Sequence, residues 1–247
     1  MAVTYQNNGV VRDGLVFYAD PSNQRSWTGP DSSTVNSLVK NITGSIANDT
    51  SGSFGVNTSF EFDGTDDHID TGFVPKDNIA VNFTISVWAN FNSVSNTAVS
   101  ALFGTSYFAS PYSFFDFGIN RVSSTYYYYY WLGGGSNKPL SYTDYTISNF
   151  SLNTWQQFIV TYDGNDLKLY KDSSLEHTVS SVTITDLPPH DTGFSGTSYM
   201  GATHDSRPGS NPKQLINGEI GPTQIYSKAL TQAEVKQNYN ALKGRFE

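Results

Sequence analysis

The chain has 247 residues, no cysteine, 22 acidic against 14 basic side chains, a net charge of −8 and a pI near 4.8. That charge removes the attraction that drives binding to DNA, RNA and anionic membranes, and the missing thiols exclude disulfides, leaving stability to the core and the hydrogen-bond ladders. Neither the start, Met1-Ala2-Val3-Thr4-Tyr5, nor any later stretch has the apolar run of a signal peptide or of a membrane span.

Short strand-like segments follow one another along most of the sequence. Residues 14–19, 58–63, 83–91, 99–104, 114–119, 125–132, 155–162, 165–170, 175–184 and 214–226 are rich in aromatic and β-branched types and bounded by Gly, Asn, Asp or Pro. Phe83, Ile85 and Val87 alternate with Thr84, Ser86 and Trp88, the period of a strand with two distinct faces. Asp163-Gly164 between two such runs predicts a tight type I′ hairpin, because both residues tolerate positive φ. Only 15% of residues are charged, so the outer strand faces must be covered by Ser, Thr, Asn and Tyr, a skin suited to neutral ligands.

Between residues 28 and 60, and again between 186 and 214, Gly, Ser, Asn, Asp and Pro dominate and the periodicity fails. These stretches read as long loops, the places where binding residues concentrate. Near the end, Thr231-Gln232-Ala233-Glu234 spells a capping box. Val235, Tyr239 and Leu242 then recur at helical spacing, which predicts a helix over about 231–242, ended by Gly244 and plugging one end of the fold. No repeat or linker divides the chain, so residues 1–247 read as a single domain: an all-β, two-sheet antiparallel β-sandwich with one short C-terminal helix.

Several of these segments, taken in order, carry a resemblance. Gly14-Leu15-Val16-Phe17-Tyr18-Ala19-Asp20, Phe60-Glu61-Phe62-Asp63-Gly64-Thr65-Asp66-Asp67, Phe83-Thr84-Ile85-Ser86-Val87-Trp88 and Trp155-Gln156-Gln157-Phe158-Ile159-Val160-Thr161-Tyr162-Asp163-Gly164 come first. Met200-Gly201, Asn217-Gly218-Glu219-Ile220-Gly221 and Ala229-Leu230-Thr231-Gln232-Ala233-Glu234-Val235 follow. The set resembles the laminin-G-like jelly roll of the concanavalin A-like lectin/glucanase superfamily, in the version common in bacterial surface proteins and phage virion proteins. The resemblance implies a domain whose C-terminal segment closes it beside the chain start. Relatives often bind a structural calcium near the chain termini, which nominates Asp20.

The residues themselves offer little catalytic chemistry. The sequence has no Gly-x-Ser-x-Gly elbow, His-Glu-x-x-His, Walker loop or Gly-x-Gly-x-x-Gly, and His68, His177, His190 and His204 lack metal-ligand spacing. Glu61-Phe62-Asp63-Gly64-Thr65-Asp66 imitates the Glu-x-Asp-x-x-Glu strand of glycoside hydrolases on this fold, but its third carboxylate is a shorter Asp and Gly64 favours a turn. Asp63, Asp66, Asp67 and Asp70 could supply oxygen ligands to a structural calcium, with no other cofactor expected, against the plainer reading that Asp63 and Asp66 hydrogen-bond their own turn.

Tyr126-Tyr127-Tyr128-Tyr129-Tyr130-Trp131 is the other unusual run. In a strand, Tyr126, Tyr128 and Tyr130 share one face and Tyr127, Tyr129 and Trp131 the opposite one. One set belongs to the core and the other is free for stacking on sugars or on a protein neighbour, unless loops bury both. Tyr112, Tyr126, Tyr128, Tyr130 and Trp131 are the residues nominated for ligand contact, Tyr112 from the preceding loop.

These readings converge on a binding or structural module that is not an enzyme. The phage-borne resemblance implies a virion-surface protein, made in the host cytoplasm, that decorates a capsid or tail and touches host-surface glycans. Its partners would be coat or tail proteins and those glycans, with a homo-oligomer left open. The alternative is a secreted or cell-surface carbohydrate-binding protein, and a glycan hydrolase or lyase comes third.

Overall fold

The computed structural model describes residues 9–47, 51–53, 59–107, 113–134, 145–184, 196–203 and 212–247, apart from the side chains of 51–53, 106–107, 113–114 and 134. In chain order its strands are β1 (Leu15–Ala19), β2 (Thr34–Asn36), β3 (Thr43–Ala47), β4 (Ser51–Ser53), β5 (Ser59–Asp63), β6 (His68–Asp70), β7 (Phe83–Ser93) and β8 (Ser100–Gly104). There follow β9 (Ser106–Tyr107), β10 (Ser113–Val122), β11 (Thr125–Gly134), β12 (Gln156–Tyr162), β13 (Leu167–Lys171), β14 (Ser174–Val179), β15 (Tyr199–Met200) and β16 (Asn217–Tyr226). Helix α1 (Pro75–Asn78) is a single turn, and α2 (Gln232–Leu242) is the C-terminal helix.

All pairings are antiparallel and make two sheets. The first has the order β14-β13-β12-β7-β16-β5-β4, with β1 pairing the second half of β16. The second has the order β11-β10-β8-β15-β6-β3-β2, with β9 beside β10. Strand alternation fills the space between them. From the first sheet come Phe83, Ile85, Val87, Phe158 and Val160, and from the second Phe103, Phe115, Phe117, Ile119, Tyr128 and Tyr130, all buried in one cluster. Rings interlock across the gap, with Phe83 and Phe115 centroids 5.1 Å apart and Phe17 and Phe103 6.2 Å apart. This is the two-sheet β-sandwich that the strand pattern predicts.

The first sheet is covered on its outside as well. Trp88, on the opposite face of β7 from Val87, stacks on Tyr239 of α2 at 5.4 Å and on Phe246 at 4.6 Å. Ile159, Tyr170 and Tyr226 join Val11, Leu15, Leu230 and Val235 in a second buried cluster. The helix therefore lies across the outer face of a sheet and does not plug an end, because β7, β12 and β16 present apolar groups on both faces. Its capping box is complete: the Glu234 amide donates to the Thr231 hydroxyl at 3.3 Å, and the Thr231 amide donates to the Glu234 carboxylate at 2.9 Å. Buried Asn238 accepts from the Val11 amide at 2.7 Å and donates to the Tyr226 hydroxyl at 2.9 Å, tying the helix to the chain start.

Three local expectations are corrected. The stretch 28–60 contains β2, β3 and β4, and 186–214 contains β15, strands of two to five residues too short and too polar for period-2 alternation to show. Gly44 permits β3 to seat, since a Cβ there would lie 2.2 Å from the Asp70 carbonyl oxygen. The β12–β13 hairpin has a four-residue loop, 163–166, with Tyr162 opposite Leu167. There the Asp163 carboxylate accepts from the Asn165 and Asp166 amides at 3.0 and 2.7 Å, an Asx-type closure in place of the type I′ turn. Gly244 does not stop the helix in a left-handed conformation; residues Lys243–Arg245 continue it as a 3₁₀ turn.

Candidate functional site

The outer face of the second sheet follows from strand parity. Because Phe115, Phe117 and Ile119 of β10 and Tyr128, Tyr130 and Leu132 of β11 point into the core, Asp116, Gly118 and Asn120 point outward opposite Trp131, Tyr129 and Tyr127. Next to β10, a Cβ at Gly104 would lie 2.7 Å from the Thr203 methyl and 2.8 Å from the Asp116 carboxylate, so residues 202–203 pack over this point of the face. Then comes Tyr199 of β15, in register with Gly104 on one side and Asp70 on the other. Its ring packs on His68 at 4.8 Å. At about 4.8 Å per strand, four strand steps separate Trp131 from His68, roughly 19 Å.

Polar groups along this row are held in place by the chain. Asp70 accepts from the Gly72 amide at 3.0 Å and from the Thr197 hydroxyl at 3.1 Å. His68 Nδ1 lies 2.9 Å from the Asp66 carbonyl oxygen, which makes that nitrogen the donor. The Gln214 carboxamide donates to the Tyr129 hydroxyl at 3.3 Å. Burial, with the Asp70 carboxylate second, pushes the Tyr199 phenol up to about 12, so it stays a neutral donor. Trp131, Tyr127 and Tyr199 are partly exposed along this row with Asn120 and Asp70, whereas His68 is buried and Asp116 and Tyr129 are fully covered.

The nominated tyrosines divide differently. Tyr128 and Tyr130 are buried at 0% and 1% exposure, so neither ring is available to a ligand. The Tyr128 hydroxyl donates to Glu176 at 2.8 Å across the open edge of the sandwich, and burial drives its phenol far above its ordinary range. Tyr126 shares their face and stacks on Phe150 at 4.1 Å beneath Arg121. Trp131 is on the outer face as required, and Tyr112 lies outside the described residues. Tyr127, Asn120, Asp70 and Tyr199 are additions to the contact set. Alternation already put Tyr127 on the face of Trp131, whereas the other three join it only through strand register.

The acidic residues also separate. Asp20 sits by the chain termini, where both Arg245 terminal nitrogens reach its two oxygens at 2.9 Å and the Tyr18 hydroxyl donates at 3.1 Å. A carboxylate forked by a guanidinium and 6% exposed is committed to that pair, which corrects its nomination as a calcium ligand. Asp63, Asp66 and Asp67 do converge, with one oxygen of each within 4.8 Å of the others. Their turn is also self-satisfied. Asp67 accepts from the Asp63 amide at 2.9 Å, and the Thr65 amide donates to Asp63 at 2.7 Å, holding the Asp63 carboxyl below its usual range. That geometry can take a calcium ion through the remaining oxygens and water.

Glu61 faces outward from the first sheet, directly opposite Glu219 of β16. Glu219 accepts from the Ser59 hydroxyl at 2.7 Å and the Asn90 carboxamide at 3.3 Å. Gly64 takes φ +79° and opens a turn, which breaks the hydrolase-like motif after Asp63.

Sheet order and the buried inter-sheet core define a jelly-roll β-sandwich. Residues 63–236 match the laminin-G type family described as the concanavalin A-like lectin/glucanases superfamily, and the chain belongs to it. Among solved structures it is similar to Trypanosoma rangeli sialidase in complex with sialic acid, with TM-score 0.64 and 15% identity over 96% of this chain. The chain spans only 34% of that sialidase. It is also similar to domain 4 of AbnA, a GH43 extracellular arabinanase from Geobacillus stearothermophilus, in complex with arabinotriose. There the TM-score is 0.61 and the identity 14%, over 93% of this chain and 100% of that one. The binding domain of botulinum neurotoxin DC in complex with SialylT gives TM-score 0.62 and 15% identity, over 93% of this chain and 52% of that one. No curated protein matches the sequence.

Proposed function

We propose that the chain is a non-enzymatic glycan-binding module that reads sugars on the outer face of its second sheet. The observation that carries this reading is the partly exposed pair Trp131 and Tyr127 on β11, with Asn120 opposite Tyr127, and the partly exposed Tyr199 beside Asp70 farther along the same face. Ring faces offer sugars apolar contact, and fixed carboxylates and carboxamides accept or donate to hydroxyl groups. Arabinotriose and SialylT in the complexes of two fold relatives support sugars as the ligand class. The module is placed on a virion surface, as capsid decoration or tail protein, on the strength of the order of its sequence motifs. Co-purification of the native protein with particles tests that placement, and recovery only from particle-free secreted material would favour the cell-surface alternative.

Absence of turnover is part of the same reading. Incubation with β-glucans, alginates and host-cell polysaccharides is expected to release no new reducing ends and no unsaturated products. Sustained release that disappears in Glu61→Gln would instead make the Glu61–Glu219 pair an acid/base couple of the glycosidase kind.

The proposal includes one structural calcium, held by Asp63, Asp66 and Asp67. Calcium at tenfold excess over its Kd is expected to add about 1.4 kcal/mol, a rise of about 3–6 °C in melting temperature for a chain of this size. Asp66→Asn should flatten that response. A melting temperature indifferent to both calcium and chelator would leave the three aspartates as turn formers.

A further inference from the structure

Arginine engagement singles out one cavity. Arg245 forks onto Asp20, and Arg121 donates to the main-chain oxygens of Ser123 and Val94 while lying 5.7 Å from the Tyr126 ring centroid. Arg12 and Arg25 differ, for among the described residues neither guanidinium makes a hydrogen bond, ion pair or ring contact, although the chain carries a net charge of −8. Both line the same cavity of about 310 Å³, between the segment leading to β1, the loops around β2 and the last turn of α2. The same cavity is also lined by the aliphatic side chains of Val10, Leu38, Val39, Ala241 and Leu242. A second cavity of about 370 Å³ shares Gly9, Val10 and Arg12 and continues the groove along α2 toward Glu234.

The groove combines two exposed, uncommitted guanidiniums with an apolar wall. Guanidinium matches carboxylate in planar, two-point geometry, while the wall requires a ligand with an apolar body. A sugar fits poorly, because the neutral polar groups here are already used: the Tyr18 hydroxyl donates to Asp20 and the Asn23 carboxamide oxygen accepts from the Arg25 amide. Free phosphate would use the cations and leave the wall bare. We infer that this groove docks an acidic, aliphatic segment of a partner protein, with a carboxylate between Arg12 and Arg25 and a neighbouring aliphatic side chain against Val10, Val39 and Leu242. Charge complementarity between the two guanidiniums lining this cavity and a carboxylate selects this occupant, against the −8 of the chain as a whole. None of these residues belongs to the outer face of the second sheet, so the inference stands or falls apart from glycan binding.

The test uses the full chain with labelled Val and Leu methyl groups and three probes: N-acetyl-Leu-Glu-amide, N-acetyl-Leu-Gln-amide and inorganic phosphate. The glutamate probe is expected to shift the methyl signals of Val10, Leu38, Val39 and Leu242 saturably. Its affinity should fall at least about fivefold with the glutamine probe, and equally in the Arg12→Gln/Arg25→Gln variant. Both substitutions are at exposed positions and leave the fold intact. Equal response to the two peptides, no methyl shift, an unchanged affinity in the variant, or phosphate reproducing the whole effect would each overturn the inference.

Discussion

Truncation after Tyr226 is expected to abolish the native cooperative melting transition, or to lower its midpoint by at least about 20 °C. The deleted segment carries Leu230, Val235 and Leu242, which are buried, together with Tyr239 and Phe246 stacked on Trp88. At about 1.5–3 kcal/mol for each buried apolar side chain, their removal costs on the order of 10 kcal/mol, comparable with the whole stability of a domain. For a chain of this size each kcal/mol moves the midpoint by about 2–4 °C. The deletion would also strip the outer face of the first sheet, uncovering Ile159 and Tyr226 and leaving the buried Val11 amide without its Asn238 acceptor. Asn238→Ala isolates the polar part, with an expected loss of about 1–3 kcal/mol because the buried Val11 amide is orphaned, while the Tyr226 hydroxyl keeps its bond to the Val11 carbonyl and the apolar contacts stay. A truncated chain that melts like the intact one would show the helix to be ornamental.

The frame of this protein was legible because its long strands obey one simple rule. Phe83, Ile85 and Val87 alternate over a strand long enough for periodicity to register, and Thr231-x-x-Glu234 names a helix start through local chemistry alone. The short strands β2, β6 and β15 escaped because a segment of two or three residues has no measurable period; partners on both sides, such as β6 and β8 around β15, make it a strand. The proposed binding face was half legible for a related reason. Alternation showed that the Tyr126–Trp131 run has two faces, yet which face looks inward depends on the packing of the two sheets, and that packing buries Tyr128 and Tyr130. Tyr199 and His68 meet only through register, which no local pattern encodes. Asp20 illustrates the converse: a carboxylate near the chain start resembled a metal ligand until Arg245, 225 residues away, was found on it.

Trp131→Ala and Tyr199→Ala are each expected to weaken glycan binding by about tenfold or more while lowering the melting temperature by only a few degrees. Both rings are partly exposed on the outer face of the second sheet, so their loss removes ligand contact without opening a core cavity. A large ring that becomes covered by ligand contributes about 1.5–3 kcal/mol, and 1.4 kcal/mol is a factor of ten in Kd. Tyr128→Phe supplies the contrast. It deletes the hydroxyl that Glu176 accepts from at 2.8 Å, on the inward side of the same strand, so it should cost about 1–3 kcal/mol of stability and leave affinity unchanged. A glycan array identifies the sugar, and calorimetry with that sugar then ranks the variants. Binding that survives both outer-face substitutions but fails in Tyr128→Phe would mean that the ligand enters from the sandwich edge. With no array signal at any sugar, the aromatic platforms would be left to a protein neighbour, as expected of a decoration protein seated on other coat subunits.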